Sequence, residues 1–106
     1  MSSEGKLKSP FGKRLREARQ KVNVTQKKLG ILAGIDELSS SARINQYEQD
    51  VHIPDYMTAK RLASALGVSV TYLYAEEDDL AELILLYGLA KKQIQVKAKK
   101  LLAGTA

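Results

Sequence analysis

The chain has 106 residues, a net charge of +5 and no cysteine. This length suits one small domain, and the lack of cysteine excludes disulfides and thiolate metal sites. With a single histidine, His52, the sequence predicts no zinc site and no cofactor. No stretch resembles a membrane span or a signal peptide, so we expect a soluble intracellular protein without a membrane partner.

Charge is divided into three blocks along the chain. Residues 1–34 carry nine Lys/Arg and two Asp/Glu, residues 35–90 carry three basic and ten acidic residues, and residues 91–106 carry five basic and no acidic residues. A basic first third offers a surface for a polyanion such as the phosphates of a nucleic acid. The alternative is an ordinary solvated face, which charge alone does not exclude.

An N-terminal helix follows a short polar arm. Residues 1–8 are polar and are predicted to form a disordered arm. Ser9-Pro10 is a helix start, and the helix is predicted over about residues 10–22. Its predicted inward residues are Phe11, Leu15, Ala18 and Val22.

Two further helices form a helix-turn-helix pattern. Thr25 predicts the N-cap of a second helix from Gln26 to Ala33, with Gly34 at its left-handed C-cap position. Its predicted inward residues are Leu29, Leu32 and Ala33. A third helix is predicted to run to about Gln49. The candidates for its N-cap are Ser39 and Ser40 or, one turn earlier, Asp36. In this layout the later helix of the pair enters the major groove of DNA.

The pattern stays helical beyond the loop that follows. A fourth helix is predicted from the N-cap Asp55 to Gly67. Its predicted inward residues are Met57, Leu62, Ala63 and Leu66. A short fifth helix reaches Tyr74 and opens at Ser69 or Thr71. Because no strand signal or internal repeat is present, the predicted fold class is all-α.

The sixth predicted helix is apolar around most of its circumference. The acidic run Glu76–Asp79 precedes it and complements its dipole. A surface helix of a monomer needs only one apolar stripe, so the surplus predicts a second buried face on a partner. The predicted dimerisation residues are Leu83, Leu86, Tyr87 and Leu89. A lysine-rich amphipathic tail follows this helix. The alternative to dimerisation is that this tail packs back on its own domain.

The segment from Phe11 to Tyr74 resembles the Cro/repressor-type, or XRE-like, helix-turn-helix domain of bacterial and phage regulators. The resemblance rests on FGKRLREARQ, TQKKLGILAG, ARINQYEQ, Pro54 and RLASALGVSVTYLY. It implies a five-helix DNA-binding bundle over residues 9–75, followed here by a C-terminal helical extension over residues 76–106. The implied function is that of a cytoplasmic, nucleoid-associated repressor that binds double-stranded DNA as a homodimer on an inverted repeat.

The resemblance also implies site residues. The segment IDELSSSAR is about one helical turn longer than in the family, so positions are carried over from the Ile44–Glu48 end. The implied base-reading residues are Ser41, Ala42, Arg43 and Gln46. The implied DNA-backbone contacts are Gln26, Ser40, Lys13, Arg14, Lys27 and Lys28. Gln46 ranks first, because a carboxamide can pair bidentately with adenine.

Arg19 and Glu48 match a pair that forms a largely buried salt bridge between the first and third helices of the family.

A second interpretation of the whole chain is an antitoxin-type module, whose apolar sixth helix docks a toxin partner. An enzyme is not expected, because the sequence has no cysteine nucleophile, phosphate-cradling Gly-rich loop or His–carboxylate cluster.

Overall fold

Helices make up most of the structure, a computed structural model that describes residues 9–104. The predicted disordered arm, residues 1–8, lies outside the described residues. The elements are α1 Phe11–Lys21, α2 Gln26–Leu32, α3 Glu37–Glu48, α4 Tyr56–Leu66, a 3₁₀ helix Val70–Tyr74, α5 Asp78–Leu89 and α6 Lys92–Leu102. Residues 9–104 contain no strand, and the predicted all-α class is confirmed. Within that range, no helix combines the length and apolarity needed to cross a bilayer.

Local capping sets the ends of α2 and α4 as predicted. Thr25 Oγ1 accepts a hydrogen bond from the Lys28 N–H at 3.0 Å, and Asp55 Oδ1 accepts one from the Thr58 N–H at 2.8 Å. Each cap satisfies a backbone N–H that has no partner within its helix. Gly67 ends α4 with a φ of 72°, a left-handed conformation that favours glycine.

The start of α3 lies one turn earlier than the serine caps predicted. Asp36 is the N-cap, and its Oδ2 accepts from the Leu38 N–H at 3.1 Å. The predicted Ser39 and Ser40 caps are wrong, because both residues already lie within the helix, and the alternative start at Asp36 is confirmed. The residues that lengthen the helix-turn-helix therefore form an added first turn of α3.

The apolar core lies where α1 to α4 and the 3₁₀ helix meet. The largest packed interface joins α2 to α3, and α1 contacts both α3 and the 3₁₀ helix. The fully buried large apolar residues are Phe11, Leu15, Leu29, Ile44, Leu62 and Leu73. Three predicted inward residues are wrong, because Val22, Leu32 and Met57 are about half exposed. All three lie at helix ends, where the helix surface turns away from its neighbours.

α5 and α6 are attached to this core by fewer contacts. Ala81 is the buried residue of α5, and α6 has none. α5 contacts the 3₁₀ helix, and the Gln95 side-chain amide donates to the Tyr87 carbonyl at 2.8 Å, which links α6 to α5. Asp78 and Asp79 occupy the first turn of α5, as the helix dipole predicts. The described part of the tail therefore does not pack into the core.

Candidate nucleic-acid interface

The outer side of α3 is the surface that a helix-turn-helix presents to a DNA groove. Its inner side is defined by the buried residues Ser40, Ile44, Tyr47 and Glu48. At about 100° per residue, the opposite side carries Leu38, Ala42, Asn45 and Gln49, all exposed. This outer stripe has no charged side chain. It therefore suits contact with base edges better than contact with phosphates.

The four predicted base-reading residues lie on α3 without forming the centre of this stripe. Those that are exposed are Ser41, Ala42 and Arg43, whereas Gln46 is half-buried. Ala42 lies on the outer stripe and the other three flank it. The sequence pattern did not single out Leu38 or Asn45. Leu38 precedes the helix start that the serine caps predicted, whereas Asn45 lay within the predicted helix but was not among the positions carried over from the family.

The N-terminal end of α2 lies beside α3. The Gln26 side-chain amide donates to Asn45 Oδ1 at 3.2 Å and to Glu48 Oε1 at 3.0 Å. Lys27 Nζ lies 3.5 Å from Glu37 Oε2 in the first turn of α3. These contacts bring Gln26 and Lys27, two predicted backbone contacts, next to the helix that carries the predicted base readers.

The predicted ion pair between α1 and α3 is present. Arg19 Nε donates to Glu48 Oε2 at 2.6 Å and Arg19 Nη2 donates to Glu48 Oε1 at 3.1 Å, which is the bidentate geometry that favours arginine. Arg19 Nη1 also donates to the Val24 carbonyl at 3.0 Å. The Glu48 side chain is only 2% exposed. The pair therefore holds α3 against α1 and the turn before α2.

Ser40 is not available to a phosphate. It is fully buried, and its hydroxyl donates to the Asp36 carbonyl at 2.9 Å and lies 3.1 Å from the Ile35 carbonyl. A Cβ added at Gly30 would lie 2.6 Å from Ser40 Cβ, so α2 and α3 cross in close contact here. The predicted backbone contact is wrong because this position is the crossing point of the two helices.

Arg14 is also buried, and its predicted phosphate contact is wrong. Its Nε donates to the Ala75 carbonyl at 2.9 Å and its Nη2 to the Glu76 carbonyl at 3.0 Å. Nη1 lies 3.2 Å from Glu17 Oε1 and 3.0 Å from Asp78 Oδ1. Burial by itself lowers the pKa of Arg14, but hydrogen bonds to these two carboxylates outweigh it and raise that pKa. The guanidinium fastens the start of α5 to α1.

The predicted phosphate-contact lysines have different surroundings. Lys13 Nζ lies 3.1 Å from Asp78 Oδ1, so this lysine faces the start of α5. Lys28 is exposed in the first half of α2, next to Lys27. The structure thus leaves Lys27 and Lys28 as the lysines on the helix that packs against α3.

A cleft of about 550 Å³ borders the C-terminal half of α3. The Gln46 carbonyl accepts from the Val51 N–H at 2.9 Å and the His52 N–H at 3.3 Å, which folds the following loop back onto α3. The cleft is lined by Arg43, Gln46, Tyr47, His52, Pro54 and Thr58, among others. Arg43 therefore lies between the outer stripe and this loop.

A family model described as a helix-turn-helix domain matches residues 12–79, which include all of α1 to α4 except Phe11. The chain belongs to this family. The matched segment contains the Arg19–Glu48 pair and the whole of α3. The resemblance indicated by the sequence motifs is confirmed.

Two similar proteins are named as transcriptional regulators. The HTH-type transcriptional regulator ImmR of Bacillus subtilis (strain 168) is 36% identical over 68 residues, which are 64% of this chain and 50% of ImmR. This chain thus spans about half the length of ImmR. The crystal structure of the transcriptional regulator BswR has a TM-score of 0.83 and 41% identity, covering 91% of this chain and 99% of that one. The likeness to BswR therefore extends into the C-terminal helices.

Proposed function

We propose that this protein binds double-stranded DNA sequence-specifically and represses transcription as a homodimer on an inverted repeat. The observation that carries the proposal is that α3 has an accessible outer side and a firmly held inner side. Its outer stripe is exposed and uncharged, while the Arg19–Glu48 ion pair holds its inner side against α1. Lys27 and Lys28 on the adjoining α2 supply cations for the flanking phosphates.

Base reading in this proposal falls to side chains along the accessible part of α3. Gln46 offers a carboxamide that can pair bidentately with the N6/N7 edge of adenine. Arg43 offers donors for guanine or for a phosphate. Ser41 and Ala42 supply short contacts to neighbouring base edges. The flanking backbone is held by Gln26 together with the α2 lysines.

A second copy of the chain completes the binding unit through α5. The predicted dimerisation residues Leu83, Leu86, Tyr87 and Leu89 are all exposed in the single chain. α5 begins with acidic residues and α6 carries lysines, so two copies related by a two-fold axis can pair opposite charges around an apolar centre. Such a dimer presents two copies of α3 to half-sites about 34 Å apart.

Selection of bound sequences from random double-stranded DNA tests the DNA-binding function. We expect the purified protein to select an inverted repeat with half-sites about one helical turn apart. Gln46→Ala should cost about 1–3 kcal/mol and relax preference at one base pair per half-site. Lys28→Ala, the matched backbone variant, should weaken binding to all sequences and reduce the salt slope by about 0.9. Uniform weakening by Gln46→Ala contradicts its reading role.

Sedimentation of the purified protein tests the dimer. We expect the wild type to be dimeric and Leu86→Glu to be monomeric with weaker operator binding, because the change places a charge in the apolar interface. Ser64→Glu adds the same charge to an exposed position of α4, outside the extension, and should remain dimeric. A dimeric Leu86→Glu variant places the interface elsewhere.

A second candidate function is that of an antitoxin that binds a toxin and autoregulates its operon. The observation that favours it is a groove of about 420 Å³ between α5 and α6, lined mainly by apolar side chains that include Leu83, Ile84, Tyr87 and Leu102. In that case we expect the isolated chain to be monomeric and a heterologous partner to co-purify with it. A chain that purifies from its native host without any heterologous partner contradicts this candidate.

A further inference from the structure

Leu38, in the added first turn of α3, is the most exposed large apolar residue of residues 9–104. It is 96% exposed, and the next most exposed, Leu89, is 78%. Isolated apolar residues on a surface are common, but most of them are partly covered by their neighbours. The Leu38 side chain is almost entirely exposed to water. It gains stability only when something covers it.

The fold fixes the direction in which Leu38 points. Asp36 caps the turn through the Leu38 N–H itself, and Ser40, two residues further on, is buried against Gly30 at the crossing with α2. Two residues along an α-helix correspond to a rotation of about 200°. Leu38 therefore projects away from the core, on the same outer stripe as Ala42.

The charges around Leu38 determine which chemical groups of DNA its side chain can contact. Its neighbours Asp36 and Glu37 are acidic, and the first turn of α3 contains no basic residue. Lys27 lies 3.5 Å from Glu37 and offsets one of these charges. A turn of this composition repels phosphates, so base edges are its suitable contact. The apolar group on a major-groove base edge is the C5-methyl group of thymine.

We propose that Leu38 packs against the C5-methyl group of a thymine in each half-site and thereby adds one specified base pair beyond those read by Gln46. The inference rests on the proposed DNA-binding function. It assigns the added turn of α3 a role in base recognition. It also explains why a fully exposed leucine lies in line with Ala42 on the outer stripe.

Deoxyuridine scanning of the selected operator tests the contact directly, because uracil differs from thymine only by the missing methyl group. Each thymine of one half-site is replaced in turn, and binding is measured for the wild type, Leu38→Ala and Leu32→Ala. Leu32 is a matched control, an exposed leucine at the far end of α2. We expect one deoxyuridine position to weaken wild-type and Leu32→Ala binding about fourfold, the value of one buried methyl-sized group. Leu38→Ala should bind thymine and uracil equally at that position.

Each outcome separates this inference from the proposed function. A wild type that selects its operator but shows no deoxyuridine-sensitive position overturns the thymine contact and leaves DNA binding in place. The thymine contact is also overturned if Leu38→Ala keeps the full thymine preference at every position. A wild type that selects no sequence overturns the proposed function as well. Thermal melting checks the fold of Leu38→Ala, which should be unchanged because the side chain is exposed.

Discussion

The helical core up to Ala75 and the C-terminal pair α5–α6 both contain several leucines, but most of these leucines have different surroundings in the two regions. Leu15, Leu29 and Leu62 of the core are completely buried. In α5–α6, Leu86 and Leu102 are mostly exposed. The presence of leucine therefore does not by itself decide whether a helix face is buried. The core has neighbours on several sides of each helix, whereas α5 contacts the 3₁₀ helix along one side.

The same contrast holds for charge. The core keeps the Arg19–Glu48 pair out of water, with Glu48 at 2% exposure. At the junction with α5, the largely exposed Asp78 carboxylate pairs with the exposed Lys13 at 3.1 Å and with the buried Arg14 at 3.0 Å. Buried pairs are costly to break, whereas exposed pairs contribute little. The core therefore holds α3 in one position, whereas the extension leaves apolar surface exposed.

Removing the buried cation should give the largest effect. Arg19→Ala leaves Glu48 without its main partner inside the core, and we expect a loss of about 3–5 kcal/mol in the free energy of unfolding. Arg19→Lys retains the positive charge but not the bidentate geometry of the guanidinium, and we expect a smaller loss in the free energy of unfolding. Urea unfolding of the three proteins measures both. An unchanged unfolding midpoint for Arg19→Ala would show that the ion pair does not hold α3.

Truncating one leucine in each region tests the comparison directly. Leu62→Ala opens a cavity in the core and should cost about 2–5 kcal/mol. Leu89→Ala removes an exposed side chain and should change the stability of the monomer by no more than about 0.5 kcal/mol. The measurement is thermal unfolding at a concentration where sedimentation shows monomers. Equal losses in the two variants would mean that the extension is packed as tightly as the core.

Acid titration should reveal a smaller effect at the junction of the two regions. Hydrogen bonds from Lys13 and then from Arg14 hold the pKa of Asp78 below its ordinary value. A carboxyl group with a depressed pKa stabilises the folded state above its unfolded pKa, at about pH 4, and this contribution is lost as the pH falls through the folded pKa. We expect Asp78→Asn to lose stability at neutral pH and to show a flatter loss below about pH 4.

Asp55→Asn is the matched control for that titration. Hydrogen bonds from Thr58, first from its backbone, lower the pKa of Asp55 at the start of α4, and asparagine can still cap the helix. Asp55→Asn should therefore flatten the acid profile without loosening α5 from α1. If Asp78→Asn gave the same acid profile as the wild type, its bonds to Lys13 and Arg14 would not stabilise the junction.

Several features that depend on neighbours in sequence were predictable from the sequence alone, although the N-cap of α3 was left open between Asp36 and two serines. Thr25 and Asp55 cap their helices and Gly67 ends α4, because these preferences follow from the local backbone. The family resemblance supplied the Arg19–Glu48 pair. The apolar surplus of the sixth predicted helix corresponds to an exposed face of α5, and the burial of this face on a partner stays a prediction.

The tertiary structure decided which side chains remain accessible. The sequence predicted that Arg14 is a surface cation. In the folded protein it is buried and donates hydrogen bonds to the Ala75 and Glu76 carbonyls, which are distant in sequence. Ser40 was removed from the interface by the close crossing at Gly30, and Leu38 was exposed by the early start of α3. Capping and periodicity act within one or two helical turns, whereas accessibility depends on contacts between distant segments. The sequence therefore determined that α3 is the second helix of a helix-turn-helix, and only packing determined which of its residues face outward.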